Sequence, residues 1–175
     1  NIPDVRGLAA LQGLSFTPGA WVEGMQLNMG AGSVVNGFES ITGQINVELR
    51  KPCHSDKFHV NAYASQAARL ELNHFAKQEI NENWSTATLL HVSSRNQRRD
   101  HNDDGFLDMP LGKQFGFINR WKWTNGEGQE GQIGAKISFM DNVSGQTTFR
   151  LNESDRTKVW GADMNTTRAE IWAKR

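Results

Sequence analysis

The chain has 175 residues, 19 basic and 19 acidic side chains and a formal net charge of zero. That balance withholds the basic surface that nucleic acid demands, and the single cysteine, Cys53, excludes an intrachain disulfide and a cysteine-built zinc site. No run approaches the roughly 18 apolar residues of a spanning helix, although low mean hydropathy is also what barrel strands give, since they meet lipid only at every second residue.

The opening residues, Asn1 to Arg6, lack the charged and apolar regions of a signal peptide, so the chain is expected to begin within a longer protein. Trp21 to Asn28 reads as a strand, Gly30-Ala31-Gly32-Ser33 as a turn, and Gln44 to Leu49 as a second strand ended by Lys51-Pro52. The glycines here lack both the GxGxxG spacing and a following Gly-Lys-Ser/Thr, so a phosphate-binding loop is not indicated. The character of the chain changes near residues 51–54, which predicts a boundary between 1–52 and 53–175.

Beyond that boundary apolar side chains alternate, the period of a strand with two unlike faces. Phe58, Val60, Ala62 and Ala64 share one face, followed by Leu70 and Leu72, and then by Trp84, Thr86, Thr88, Leu90 and Val92. Phe115, Phe117, Trp121 and Trp123 alternate with Gly116, Arg120 and Lys122, and Ile133, Ala135, Ile137 and Phe139 alternate with Gly134, Lys136 and Ser138. The last segment alternates Trp160, Ala162 and Met164 with Gly161, Asp163 and Asn165. Six strands are predicted. Their links are short at 81–83 and 125–128 but long and polar from Arg98 to Gly112 and from Asp141 to Lys158, the asymmetry of outer-membrane barrels. The link 65–68 is the exception, short on the long-loop side. Trp84, Trp123, Trp160 and Trp172 near strand ends fit aromatic girdles. Alternation alone leaves a second architecture open, a soluble β-sandwich acting as a binding or adhesion module.

The stretch 13–52 resembles the end of the plug domain of TonB-dependent outer-membrane receptors. Gly30, Ser33, Gly37, Ile41, Gly43, Ile45 and Asn46 match that family's order and spacing, while Met29, Asn36 and Thr42 depart from it. The resemblance implies a mainly β chain, with the C-terminal part of a plug domain at 1–52 and the first six or so antiparallel strands of an incomplete transmembrane barrel at 53–175. It also implies a Gram-negative outer-membrane location and energy-coupled uptake of a scarce siderophore, haem, cobalamin, metal or glycan. The TonB complex would engage a segment absent from this chain. Phe115, Phe117, Trp121, Trp123, Ile133, Ile137, Phe139 and Trp160 would then face lipid. The sandwich reading requires the same residues to be buried against a second sheet.

Asp100, Asn102, Asp104, Phe106 and Asp108 stand at the alternate positions of an oxygen-ligand calcium loop, with Phe106 offering its carbonyl and Gly105 the sharp turn. Position twelve is Leu111 rather than Glu, so the loop is not an EF-hand; a solvated acidic turn is the alternative. No cofactor is otherwise required. His54, His59, His74, His91 and His101 form no close pair, and Met25 and Met29 share a strand face suited to packing or, less simply, to a soft metal. Arg69, Arg120, Lys122 and Lys136 fall on the non-apolar face, where they could attract an anionic ligand. Ser33 lacks a Gly-x-Ser-x-Gly context and no nucleophile–base pair is legible, so no enzyme is predicted.

Overall fold

The structure, a computed structural model, describes residues 16–32, 43–51, 57–155 and 157–175. It is mainly β, with two antiparallel sheets and no α-helix among the described residues. The chain divides into two compact units, 1–55 and 56–175. The expected boundary at 52 and the thiol of Cys53 lie outside the described residues.

In the first unit, strand β1 (Val22–Met29) pairs with β2 (Gly43–Leu49). The register slips between Val22 and Gly24, a one-residue bulge at Glu23. Trp21, in a short 3-10 turn before β1, is buried, and its carbonyl accepts the Arg50 N–H at 2.9 Å. Gly30 has a φ of +88°, a left-handed turn residue where β1 ends. Gly43 faces Met29 in the register, Ile45 is exposed, and the Asn46 amide donates to Gln26 Oε1 at 3.4 Å. Ser33, Gly37 and Ile41 lie outside the described residues. Met25 and Met29 both stand exposed.

The second unit is a six-stranded meander of β3 (Phe58–Ala64), β4 (Arg69–Glu79), β5 (Trp84–Arg95), β6 (Leu111–Thr124), β7 (Glu130–Gly145) and β8 (Gly161–Lys174), each paired with its sequence neighbour. Turn chemistry fixes the short connections. The Asn81 side chain accepts the N–H groups of Asn83 and Trp84 at 3.0 and 2.9 Å, and Asn125 accepts those of Glu127 and Gln129 at 3.2 and 2.8 Å. At the opposite end the turn 65–68 closes with Ala68 at a φ of 52°.

The registers carry through the sheet and sort its side chains into two faces. One row runs Val60, His74, Leu90, Phe117, Ile137, Ala169; the next runs Ala62, Leu72, Val92, Phe115, Phe139, Thr167. The opposite face carries rows such as Asn61, Asn73, His91, Gly116, Ser138, Arg168. Both faces carry apolar side chains but differ in exposure, and the row Phe75, Leu89, Ile118, Lys136 on the second face is buried. On the apolar face Phe58, Leu70, Ile133 and Phe139 are 64, 61, 49 and 43% exposed, whereas on the mixed polar face His91, Arg120 and Lys136 are 2, 7 and 8% exposed.

Three expectations are corrected. Strand β7 continues through Asp141–Gly145, because these polar residues pair with β6 on one side and β8 on the other. Trp160 precedes β8 and does not join the apolar face; Ala162 and Met164 lie opposite Ser144 and Asn142 on the other face, while Ala169 and Ile171 occupy the apolar one. Trp172 also belongs to the polar face, covering Gly134, where its indole fills the space a Cβ would need.

Candidate functional site

Two surfaces carry the chemistry of the second unit: the apolar face and the end of the sheet from which the long loops leave. The apolar face begins at the short-turn end with Trp84, Trp121 and Trp123. The Trp84 and Trp121 rings meet edge to face, with centroids 6.4 Å apart. It continues through Ile133, Phe117, Ile137, Phe115 and Phe139, and across β5 to β8 it meets a polar row of Ser94, Lys113, Asp141 and Asn165, which Leu70 of β4 extends. From Trp84 to Val92 this spans roughly 26 Å along the strand at about 3.3 Å per residue.

Polar side chains within this band satisfy one another. Asn119 donates through Nδ2 to Thr86 Oγ1 at 3.3 Å and Thr88 Oγ1 at 3.1 Å, and its Oδ1 accepts the Trp121 Nε1–H at 2.8 Å. The Thr86 hydroxyl donates to the Arg120 carbonyl at 3.1 Å. The cluster thus turns its hydrogen-bonding groups on itself and on backbone. Where no water is present, each unsatisfied group costs several kcal/mol.

On the opposite face Asn73 is the centre of a buried network. Its Nδ2 donates to Glu71 Oε1 at 2.8 Å and Asn61 Oδ1 at 3.3 Å, so its Oδ1 is the acceptor left for His91 Nδ1 at 2.7 Å, and that ring nitrogen carries the proton. Arg69 grips the other Glu71 oxygen at 2.7 Å. Lys122 pairs with Glu130 at 2.7 Å, Lys136 lies opposite Glu170 in the register, and Arg168 is ion-paired with the same Glu170. The basic residues expected to attract an anion on this face therefore stand largely beside carboxylates.

Comparisons with protein-family models, curated proteins and solved structures find no match.

The two long loops, 96–110 and 146–160, are knitted into one crown. Phe106 and Gln146 form an antiparallel bridge, flanked by Leu107 N–H to the Gly145 carbonyl at 2.9 Å and Thr147 N–H to the Gly105 carbonyl at 2.8 Å. Gln146 exchanges bonds with Trp160, its N–H donating to the Trp160 carbonyl at 3.0 Å and its Oε1 accepting the Trp160 N–H at 2.7 Å. Trp160 and Phe106 lie 6.1 Å apart, both exposed, while Phe149 is buried against Gly161. Sequence reasoning missed this knot. Its signal was Phe149, a bulky apolar residue within a mostly polar link.

The candidate calcium ligands occupy the first of these loops, where their carboxylates serve the backbone. Asp100 accepts the N–H groups of Asp104 at 3.1 Å and Gly105 at 2.8 Å, Asp104 accepts Phe106 N–H at 2.7 Å, and Asp108 accepts His101 N–H at 3.2 Å. Asn102 donates its amide to Asp104 Oδ2 at 2.9 Å. Among the described residues no three acidic, histidine or cysteine side chains gather around a point that a metal ion could occupy. Asp100 thus acts as a loop cap, and Asp100→Ala is expected to destabilise the protein by about 1–2 kcal/mol, equally in calcium and in EDTA. Thermal unfolding in both buffers checks this. A calcium-dependent rise in the parent that Asp100→Ala removes would instead establish the metal loop.

Proposed function

We propose that this chain is part of a TonB-dependent outer-membrane receptor, with β1 and β2 in its plug and β3 to β8 as consecutive strands of its barrel wall. On this reading the protein takes up a scarce ligand (a siderophore, haem, cobalamin, metal or glycan) with energy supplied by the TonB complex through another segment. The observation that carries the reading is the open apolar face of the six-stranded sheet, where Phe58, Leu70, Phe115, Ile133 and Phe139 stand exposed, while the opposite face buries His91, Arg120 and Lys136 together with Phe75, Leu89, Ile118 and Met140. Three further features support it. Strands β4 to β8 are 11–16 residues long, enough to cross a bilayer when tilted. The outward polar groups of Asn119, Thr86 and Thr88 bond to one another, as hydrocarbon requires. Tryptophans cluster at the short-turn end of the band and a charged row bounds the other, as membrane interfaces favour. The soluble sandwich would need Phe115, Ile133 and Phe139 buried, and all three are exposed.

The test is position-specific quenching. In vesicles of brominated phosphatidylcholine, a variant retaining only Trp121 is expected to lose most of its fluorescence, and one retaining only Trp172 to lose little. Equal quenching of both, or a protein that leaves the vesicles and remains monodisperse in water, would reject the proposal.

A further inference from the structure

Thr147 sits at the centre of the crown, and its carbonyl draws two arginines from different loops. Arg98 Nη1 donates to Thr147 O at 3.1 Å and Arg150 Nη1 donates to the same oxygen at 3.0 Å. Two guanidinium groups are thereby held side by side. Neither forms an ion pair with a carboxylate among the described residues. Partial burial and the neighbouring Arg150 charge both hold the Arg98 pKa below its ordinary value, the response of a cation that has lost water and gained a like neighbour.

Like charges this close repel, and such a pair persists only where the backbone fixes it. Here the backbone does so from both sides. Arg150 N–H donates to Ser154 Oγ at 2.8 Å, the Ser154 and Glu153 N–H groups return to the Arg150 carbonyl at 3.2 and 3.3 Å, and a second bond from Arg150 Nη1 reaches the Phe149 carbonyl at 3.0 Å. Arg98 is carried by the loop that Leu107 and Thr147 tie to β7. Each guanidinium presents five donors in a planar fork, and one carbonyl oxygen uses a single donor from each. The remaining donors suit an oxyanion bound by two forks at once.

We propose that Arg98 and Arg150 form a binding site for an oxyanion, a phosphate or carboxylate group of a small molecule or a lipid headgroup, at the junction of the two long loops. The site depends on the crown alone and does not require the apolar face to meet lipid. An oxyanion placed there would cancel the repulsion between the arginines and cross-link loops 96–110 and 146–160.

The experiment measures binding of inorganic phosphate, citrate and a phosphatidic-acid micelle to the folded protein in neutral detergent, by calorimetry at low and high salt. Saturable binding of phosphate or citrate that weakens at least tenfold in Arg98→Gln/Arg150→Gln, and is not restored by Arg98→Lys/Arg150→Lys, supports a site for a free anion. The same pattern confined to the phosphatidic-acid micelle supports the site and assigns it to a headgroup. Unchanged binding in the Gln pair, full restoration by the Lys pair, or no binding of any probe overturns the proposal. An unaltered unfolding midpoint in both double variants ensures that a loss is not a loss of fold.

Discussion

Phe117→Arg is expected to destabilise the protein in lipid by roughly 2–4 kcal/mol, the depth-dependent penalty for a cation near the centre of a barrel's lipid face. Phe117 lies inside the apolar band, between Leu90 and Ile137, with the Trp84–Trp123 end three rows away on one side and the Lys113–Asp141 row two rows away on the other. A guanidinium there must pass the Val92–Phe115–Phe139 row to reach Lys113 and Asp141, and on the other side it meets the Thr88–Asn119 row, whose polar groups already bond to one another. The matched control is Ser94→Arg. Ser94 shares that face but sits in the polar row beside Lys113, where the cost falls to about 0–1 kcal/mol. Urea unfolding from vesicles, followed by tryptophan emission, measures both. If Phe117→Arg proves no more costly than Ser94→Arg, the centre of the band is not in hydrocarbon. If both variants gain solubility in water without detergent, the face is an ordinary protein surface.

What could be read in the sequence follows from the period of a strand. Alternation at Phe115 and Phe117, and at Ile133 to Phe139, fixed both the strands and their shared face, since a slip of one residue would exchange the faces completely. The same rule failed at β8 for a physical reason. Alternation gives the phase only relative to an environment, and the environment changes along the strand. Near the long loops the face of Phe139 turns polar, through Asp141, Asn165 and Asp163, and apolar Ala162 and Met164 lie on the side of Ser144 and Asn142. Ala169 and Ile171, deeper in the strand, carried the correct phase. Strand β7 was cut short for a related reason: Asp141 to Gly145 is too polar to suggest a strand, and its order comes from partners on both edges.

The crown was the least legible part. The spacing of Asp100, Asn102, Asp104 and Asp108 suggested oxygen ligands around a cation, because alternate acidic residues and a glycine serve that purpose. They serve equally well to accept backbone N–H groups in a tight loop, and composition cannot separate the two. The contact that decides the crown's shape, Gln146 between Phe106 and Trp160, joins residues 40 and 14 positions apart in the chain. No local pattern encodes it. Arg98 and Arg150 meet for the same reason, through the carbonyl of a residue in only one of the two loops.

Gly145 is the residue on which this knot turns, and Gly145→Val is expected to destabilise the protein by about 3 kcal/mol, combining backbone strain with overpacking. Its φ is +115°, a conformation that side-chain-bearing residues rarely adopt, and a Cβ built there would lie 2.5 Å from the Gly161 Cα and 2.7 Å from the Trp160 carbonyl oxygen. Those neighbours are backbone and cannot rotate aside. Relief requires β7 and β8 to part where they pair Gly145 with Gly161, which also pulls the Gly145 carbonyl from Leu107 N–H. The damage should therefore spread into loop 96–110, forty residues away in sequence, and appear as new protease cleavage in both long loops. Gly126→Ala is the control: Gly126 lies in the short turn after β6 with open space where a Cβ would stand. Unfolding midpoints and cleavage patterns of the two variants test the argument together. Should Gly145→Val match Gly126→Ala in both, the junction of β7 and β8 does not hold the crown, and the placement of Arg98 beside Arg150 loses its structural basis.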